Sequence, residues 1–243
     1  MEKNGHTDFE IVSKYAEGPY AVVMSAYRAP DGRTIALKLF GYKPECPKVD
    51  WILCEAEFLK SLRGLGGSLQ IAAVFNDTKT GILTNKLYKT HRMQYPVIVM
   101  ERLTGGSLQA LLQQKADQGR WLSEKEIAVI FKHITVALHE VHVTANLIHC
   151  NLKPLNVYFV TANDSTYRLK LVDFGFSVAL HDRDEHYSYG SQTSNRLITE
   201  FAVDYLAPET LEEYFVSQGT VFSRKTGQLS DPLCFEMLIK LLI

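Results

Sequence analysis

The sequence predicts an α+β protein in which an antiparallel sheet comes first and a mostly helical part follows. Apolar and polar residues alternate through residues 9–40, around Gly18 and the Asp31-Gly32 turn, which is typical of antiparallel strands. Residues 50–62 then show the apolar spacing of a helix that is buried on one face. A second helical pattern occupies residues 123–141, so strands dominate the beginning of the chain.

Composition limits the classes of protein to which this chain can belong. Its 243 residues are 46% hydrophobic and 22% charged, which suffices for a core in one large domain or two small lobes. The formal net charge is -1, so we expect no nucleic-acid partner and no membrane surface as partner. Four cysteines without a C-x-x-C pair and a polar beginning predict a reduced, cytoplasmic protein without a signal peptide or structural zinc.

The strand segments carry the first candidate functional residues. Residues 16–23, A-E-G-P-Y-A-V-V, join two predicted strands and contain Gly18 between Ala16 and Ala21. Glycine in such a turn lets the backbone approach phosphates closely, although an ordinary hairpin explains the pattern equally well. The next strand contains I-A-L-K at residues 35–38 and is followed by the helix at 50–62, in which Glu55 and Glu57 are candidate partners of Lys38.

Residues 64–108 are predicted to continue the sheet. A glycine-rich loop at 64–67 precedes a strand around 69–75. The basic stretch at 79–92 is predicted to be a solvated hairpin, with a binding patch as the alternative. Residues 96–108 form a short apolar strand that ends in a glycine turn, the expected form of a connection between two lobes.

The later part of the chain contains a capped helix and several motifs. Ser123 and Glu126 form a capping box, and the helix behind it buries one face, formed by Ile127, Ile130, Phe131, Ile134, Leu138 and Val141. H-C-N-L-K-P-L-N follows at residues 149–156, and strands at 157–160 and 169–172 flank a turn at 162–165. D-F-G lies at 173–175 and A-P-E at 207–209. Residues 177–199 show no periodicity and are predicted to be a long loop.

In this order the motifs resemble those of protein kinase domains, over residues 9–243. The resemblance implies a bilobal fold with an antiparallel β N-lobe and one C-helix, and a mostly helical C-lobe that is incomplete at its C-terminal end. It implies a tail at 1–8, the N-lobe at 9–101, a hinge at 102–106 and a partial C-lobe at 107–243. The residues N-V-Y-F at 156–159 resemble those of the NimA-related group of protein kinases.

The resemblance also implies ATP and Mg²⁺ as cofactors, with a residue set for each. Lys38 would contact the phosphates with Glu55, rather than Glu57, as its partner, and Asn156 and Asp173 would hold the metal. Lys153 would contact the transferred phosphoryl group, and Asn151 occupies the position of the catalytic base. The nucleotide would be bound by Ala16, Gly18, Val23, Ala36, Lys38, Glu55, Met100, Glu101, Leu103 and Tyr158.

The chain departs from the family pattern at several positions. Asn151 stands where the family has the aspartate that takes the substrate proton, and an amide cannot take a proton near neutral pH. Cys150 replaces the arginine that clamps a phosphorylated loop, so the usual charge-assisted switch is missing. Ala202 and Gly227 replace residues that brace the catalytic loop. These losses occur together, while the nucleotide-contacting positions are retained.

Three functions are compatible with this pattern. The first is a pseudokinase that binds Mg-ATP and acts by contacting protein partners. The second is a slow serine/threonine kinase in which Asn151 orients the hydroxyl and the phosphate accepts its proton. The third is a decayed or truncated kinase without activity. The apolar segment at 233–243 is too short for a membrane helix, and we expect it to contact a partner or a missing domain.

Overall fold

The computed structural model describes residues 9–18, 20–28, 31–41, 49–75, 95–162 and 166–179, and the backbone of four short strands beyond them. The chain divides into two compact units. The first contains the described residues up to Arg63 together with Leu69–Arg102, and the second contains Gly64–Ser68 and the described residues from Leu103 onward. The predicted N-lobe, residues 9–101, is contiguous, whereas the five residues Gly64–Ser68 pack with the second unit.

The first unit contains an antiparallel five-stranded sheet, in the order β1-β2-β3-β7-β4. Its strands are β1 (Phe9–Glu17), β2 (Ala21–Arg28), β3 (Thr34–Phe40), β4 (Ile71–Phe75) and β7 (Val97–Glu101). Between β4 and β7, the strands β5 (Ile82–Leu83) and β6 (His91–Arg92) pair with each other, so the predicted hairpin is present there. Lys79, Lys86 and Lys89 lie outside the described residues.

The two faces of this sheet have different compositions. A core cluster covers one face and consists of Phe9, Ala26, Ile35, Leu37, Leu39, Val97 and Val99. Lys38 pairs with Val23 on one side and Ile98 on the other, while Ala36 pairs with Met100 and Ala16 pairs with Val23. Directly paired residues share a face, and successive residues alternate. The face opposite the core cluster therefore carries Ala16, Val23, Ala36, Lys38 and Met100.

The helix predicted at residues 50–62 is present as α1 (Val49–Ser61). Its buried residues are Ile52, Glu55, Ala56 and Leu59, and Leu62 is fully buried just beyond its end. Glu57 lies on the exposed side, where its carboxylate accepts a hydrogen bond from Lys60. The helix packs most closely against β4. One face of α1 therefore belongs to the core of the first unit.

Helices and short hairpins form the described part of the second unit. Its helices are α2 (Leu108–Asp117) and α3 (Glu124–His139), and α3 continues as a π-helical turn at Glu140–Thr144. The strands β8 (Leu147–Ile148), β9 (Val157–Phe159) and β10 (Leu169–Leu171) follow, with a 3₁₀ turn at Pro154–Asn156 before β9. β9 and β10 form the antiparallel pair that the sequence predicts at 157–160 and 169–172.

The region predicted to be one long loop, residues 177–199, contains two short strands. β11 (Val178–Ala179) pairs with β8, and β12 (His186–Tyr187) pairs with β13 (Phe222–Ser223). Two-residue strands leave no periodicity in the sequence, and their partners are distant along the chain, so the prediction of an unbroken loop was wrong. Several sequence features lie outside the described residues. They are the remaining residues of this region, Ala202, A-P-E at 207–209, Gly227 and the segment 233–243.

Among the described residues, one helix is long and apolar enough to cross a membrane by length and composition alone, at Glu124–Thr144. It begins with the predicted capping box, in which Ser123 Oγ accepts from the Glu126 amide and Glu126 accepts from the Ser123 amide. Its buried residues, Ile130, Ile134, Ala137, Leu138 and Val141, line one face, and α3 contacts β10. A core helix of a globular domain has these same properties.

Candidate active site

A buried ion pair links β3 to α1 in the first unit. Lys38 Nζ lies 2.6 Å from Glu55 Oε1, and the side chains are 12% and 2% exposed. The structure thus places Glu55, and not Glu57, against Lys38. Burying either charge alone would be costly, and the pair compensates the desolvation of both groups. The contact fixes the lysine at the position predicted to meet nucleotide phosphates.

The turn between β1 and β2 is closed by its own backbone. The Gly18 amide donates to the Ala21 carbonyl at 2.9 Å. Among the described residues, a Cβ atom on Gly18 would meet the Ala21 carbonyl oxygen alone, at the ordinary contact distance of 3.7 Å. The described part of the turn therefore does not sterically require glycine at this position.

The end of β7 is bonded on its β4 side. The Glu101 amide donates to Gln70 O at 3.0 Å, and Glu101 Oε1 accepts from the Gln70 amide at 2.7 Å. Met100 and Leu103 are both buried. Of the three positions at which the sequence predicts adenine binding, Glu101 is thus hydrogen-bonded to Gln70, and Met100 and Leu103 are buried. Their contact with adenine remains a prediction.

In the second unit, the glycine turn at 105–106 pairs with β9. The Gly105 amide donates to Phe159 O at 3.1 Å, and the Phe159 amide donates to Gly106 O at 2.9 Å. Ser107 forms an antiparallel bridge with Tyr158, which is half-buried, and this burial raises the pKa of the Tyr158 hydroxyl. Tyr158 is therefore held beside the glycine turn.

His149 organises the loop that contains Asn151. Its ring is fully buried and packs edge-on against Phe174, with ring centroids 4.7 Å apart. His149 Nδ1 accepts from the Asn151 amide at 3.2 Å, and Nε2 lies 3.0 Å from the Val172 carbonyl. Because a carbonyl only accepts, Nε2 carries the proton, and the ring joins the loop to the segment before D-F-G.

The side chain of Asn151 contacts the D-F-G aspartate directly. Asn151 Nδ2 donates to Asp173 Oδ2 at 3.0 Å, and the Asn151 residue is 8% exposed. The Asn151 carbonyl in turn accepts from Asn156 Nδ2 at 2.8 Å. The predicted base position and both predicted metal positions, Asn151, Asn156 and Asp173, therefore form one hydrogen-bonded group.

Electrostatics and backbone geometry complete this group. Desolvation lowers the pKa of Lys153, although the nearby charge of Asp173 opposes that effect. Asp173 and Cys150 both have positive φ, 66° and 58°. Such backbone conformations cost about 1–3 kcal/mol in non-glycine residues and cluster at functional sites. The loop is thus held in a conformation that local preference alone does not select.

Two of these residues match Mg²⁺ in chemical kind. Donation through Nδ2 makes Oδ1 the acceptor end of Asn156, and Asp173 provides a carboxylate, both of which are oxygen ligands that Mg²⁺ prefers. Among the described residues, no group of three or more His, Cys, Asp or Glu side chains is placed to hold a metal. This does not conflict with Mg²⁺, which commonly uses one or two carboxylates together with substrate phosphates.

Sequence reasoning missed two contacts of the site. The Asn151–Asp173 hydrogen bond joins two motifs that had been interpreted separately, and nothing in either motif indicates it. The ring of Tyr20 contacts that of Trp51 in α1, and only the tertiary structure brings them together. An aromatic residue in the turn at 16–23 was the one available signal for the second contact.

The first unit has an antiparallel sheet with a buried lysine–glutamate pair. In the helical unit, Asn151 donates a hydrogen bond to the aspartate of D-F-G. These features define a kinase-like domain. The chain belongs to the protein kinase family, since the family described as "Protein kinase domain" matches residues 9–225. The predicted membership and α+β fold class are therefore confirmed.

Curated relatives support the same assignment. The Caenorhabditis elegans protein named "Putative ribosomal protein S6 kinase alpha-2" is 29% identical over 196 residues, 81% of this chain and 22% of that protein. Serine/threonine-protein kinase KIC1 of Saccharomyces cerevisiae is 28% identical over 218 residues, 88% of this chain and 17% of that protein. Serine/threonine-protein kinase D2 of Homo sapiens is 35% identical over 114 residues, which are 47% of this chain and 11% of that protein. The chain thus spans about a fifth or less of these proteins, and the NimA-related subgroup stays a prediction.

Proposed function

We propose that this kinase domain is a pseudokinase, which binds Mg-ATP and acts chiefly by contacting other proteins. The observation that carries the proposal is the hydrogen bond from Asn151 Nδ2 to Asp173 Oδ2 at 3.0 Å. It turns the amide so that its donor end meets the carboxylate. Of the two ends of the Asn151 amide, Oδ1 is then the one left to orient a substrate hydroxyl. This oxygen takes up no proton near neutral pH.

The size of the expected defect follows from general-base catalysis. A positioned base contributes typically ~10² to 10⁴-fold to the rate of a proton-transfer step. Phosphoryl transfer also depends on positioning and charge neutralisation, so any transfer that remains without the base would be slower by about that factor. We therefore propose a catalytically impaired domain in which binding is the main activity.

The nucleotide part of the proposal rests on residues of both units. In the first unit, the ion pair of Lys38 with Glu55 is intact and buried. In the second, Asn156 is braced by the Asn151 carbonyl, and Asp173 lies near Lys153. Asn156 and Asp173 would hold Mg²⁺, which when bound would neutralise phosphate charge. The protein's own part is to hold the phosphates through Lys38 and to present Asn156 and Asp173.

The buried Lys38–Glu55 pair also favours the second candidate, a weakly active serine/threonine kinase. This candidate predicts slow transfer that disappears in Lys38→Ala. The pseudokinase proposal predicts nucleotide binding with transfer at or near the background of Lys38→Ala. Turnover of a serine/threonine peptide library, measured at a nucleotide concentration that saturates the wild-type chain, separates the two.

A further inference from the structure

The ring of Tyr20 joins the β1–β2 turn to helix α1. Tyr20 is 8% exposed, and its ring meets that of Trp51 edge-to-face, with centroids 6.2 Å apart and an interplanar angle of 73°. Aromatic pairs of this geometry contribute about 0.5–1.5 kcal/mol beyond the area that they bury. The turn is therefore attached to the helix by a specific contact.

Trp51 lies in the first turn of α1, four positions before Glu55. Residues at that spacing share one face of a helix, so Trp51 and Glu55 both belong to the side of α1 that meets the sheet. Glu55 bonds Lys38 on β3, while Tyr20 directly precedes β2, which pairs with β3. Two side-chain contacts one helical turn apart therefore hold α1 to neighbouring strands.

We propose that Tyr20 is a positioning residue: its contact with Trp51 fixes the first turn of α1 and thereby keeps Glu55 on Lys38. A helix end frays more readily than its middle, and the first turn is where Trp51 lies. Without the aromatic contact, the first turn of α1 would lose its attachment to the β1–β2 turn, while the ion pair and the buried apolar residues further along α1 would still hold the helix. The state of the β1–β2 turn is in this way coupled to the Lys38–Glu55 pair.

Coupling of this kind is reciprocal. A ligand that holds the turn in place stabilises the Tyr20–Trp51 contact, and loss of that contact weakens the ligand. The part of the inference that concerns the nucleotide, here called the nucleotide arm, rests on the proposed function. The link between Tyr20, Trp51 and Glu55 does not need a nucleotide. The two can therefore be tested separately.

Intrinsic fluorescence tests the first link. The chain has two tryptophans, and Trp121 is 86% exposed, so Trp121→Phe leaves Trp51 as the only indole. In this background we expect Tyr20→Ala to shift Trp51 emission to longer wavelength and to increase acrylamide quenching. Tyr20→Phe keeps the ring and should leave both unchanged, as should Tyr27→Ala, which removes a tyrosine that is 45% exposed on β2. Unchanged emission in Tyr20→Ala would overturn the inference.

Covalent labelling of Lys38 tests the second link without any nucleotide. A buried, ion-paired amine reacts slowly with an amine-specific reagent, and peptide mass spectrometry gives the rate at this one lysine. Tyr20→Ala should raise the labelling rate several-fold, towards that of Glu55→Gln, and should add little in the Glu55→Gln background. An unchanged rate, or fully additive effects of the two substitutions, would show that Tyr20 does not act through Glu55.

The nucleotide arm is measured last, by titration with Mg-ATP. Tyr20→Ala should weaken binding several-fold, and Tyr20→Phe should restore it. If the wild-type chain binds no Mg-ATP, the proposed function fails, and the labelling experiment still decides the role of Tyr20. If Tyr20→Ala labels faster at Lys38 but binds Mg-ATP as wild type does, the coupling to the ligand is refuted.

Discussion

At the scale of single residues, the neutral side chain of Asn151 changes both the chemistry and the electrostatics of its loop. Asp173 accepts a hydrogen bond from an amide, where the family pattern would place a second carboxylate. The described group thus balances one carboxylate, Asp173, against one ammonium, Lys153. A second carboxylate there would increase the need for a divalent cation, because like charges at such distances disfavour ionisation of both.

The first prediction concerns Asn151→Asp in the absence of nucleotide. The substitution replaces a donor 3.0 Å from Asp173 Oδ2 by a carboxylate, so it removes a charge-assisted hydrogen bond worth about 1.5–3 kcal/mol and adds repulsion. We expect the metal-free variant to melt several degrees below wild type and to recover on addition of Mg²⁺. Asn146→Asp, the same change at an exposed residue, is the control and should not respond. A metal-free variant as stable as wild type would contradict the assigned contact.

Residue-level prediction from sequence succeeded where a motif fixes both partners. The kinase pattern favoured Glu55 over Glu57 as the partner of Lys38. In the structure, Glu55 Oε1 lies 2.6 Å from Lys38 Nζ. It did not indicate the Asn151–Asp173 bond, because the two residues come from separate motifs and meet only in the folded second unit. The positive φ of Cys150 was equally invisible, since cysteine has no preference for that conformation.

At the scale of elements, one carboxylate joins three parts of the second unit. Glu126 Oε1 accepts from Tyr167 at 2.6 Å and from Lys115 at 2.9 Å, while Oε2 accepts from Ser123. Tyr167 lies two residues before β10, and Lys115 is near the end of α2. These hydrogen bonds, led by that of Tyr167, lower the pKa of Glu126 to about 2, and the same bond raises the pKa of Tyr167 to about 12.

The second prediction is a pH dependence of unfolding that comes from this pair. The folded-state pKa of Glu126 lies below its usual 4.5, so its contribution is complete above pH 4.5 and is lost as pH falls towards 2. The folded-state pKa of Tyr167 lies above 10.0, so its contribution is complete below pH 10 and is lost as pH rises through about 12.

Urea unfolding at a series of pH values checks both limbs. Glu126→Gln should flatten the acid limb between about pH 4.5 and 2, and Tyr167→Phe should flatten the alkaline limb. Glu124→Gln, an exposed change in the same helical turn, is the matched control for the acid limb. Identical acid limbs for wild type and Glu126→Gln would refute the role given to this carboxylate.

The third prediction concerns Gly64–Ser68. This short segment belongs to the second unit, although the residues before and after it in the chain belong to the first. The Gly67 amide donates to Glu140 Oε2 at 2.8 Å, and its carbonyl accepts from the Leu171 amide at 2.8 Å. A Cβ atom on Gly67 would lie 2.4 Å from Ala137 Cβ and 2.5 Å from its Cα. Gly67→Ala should therefore destabilise the chain by about 1–3 kcal/mol.

Gly66 offers a control for this change. A Cβ atom there would meet no described residue within 4 Å, so Gly66→Ala should leave the midpoint of urea unfolding nearly unchanged. Equal effects of the two substitutions would mean that Gly67 does not pack against α3 as described. The same comparison would then argue against assigning Gly64–Ser68 to the second unit.

Element prediction was best where the signal was local. The capping box of α3 joins Ser123 and Glu126 within a single turn, and its sequence pattern was sufficient. α2 was not predicted although Ser107 is an N-cap whose side chain accepts from the Ala110 amide, because Leu108 alone is buried in this helix and a broad apolar face is therefore missing from its sequence. The β8–β11 ladder could not be predicted, since it consists of two residue pairs between distant segments.

At the scale of the whole molecule, the chain is a kinase domain that covers about a fifth or less of its curated relatives. Its fold class could be predicted because strand alternation, helical periodicity and motif order all agree. A fold and a family do not by themselves determine which proteins a domain contacts or modifies. Substrates and partners of those relatives are therefore no guide to this chain.

The fourth prediction is that Mg-ATP stabilises the whole chain. At a hundred times its dissociation constant, a ligand adds about 2.7 kcal/mol, which corresponds to several degrees for a chain of this size. Lys38→Ala and Asp173→Ala, one in each unit, should each abolish the shift. Thr104→Ala is a control, since Thr104 is exposed and its hydroxyl makes a long contact of 3.5 Å with Val160 O. A shift that survives in both site variants would place the nucleotide elsewhere.

The most direct test of the central claim measures phosphoryl transfer from γ-labelled ATP to a serine/threonine peptide library, with bound nucleotide quantified in the same samples. We predict that wild type binds Mg-ATP but transfers at or near the Lys38→Ala background, and that Asn151→Asp raises transfer by ~10² to 10⁴-fold. Rapid transfer by wild type that is abolished by Lys38→Ala and unchanged by Asn151→Asp would contradict the account.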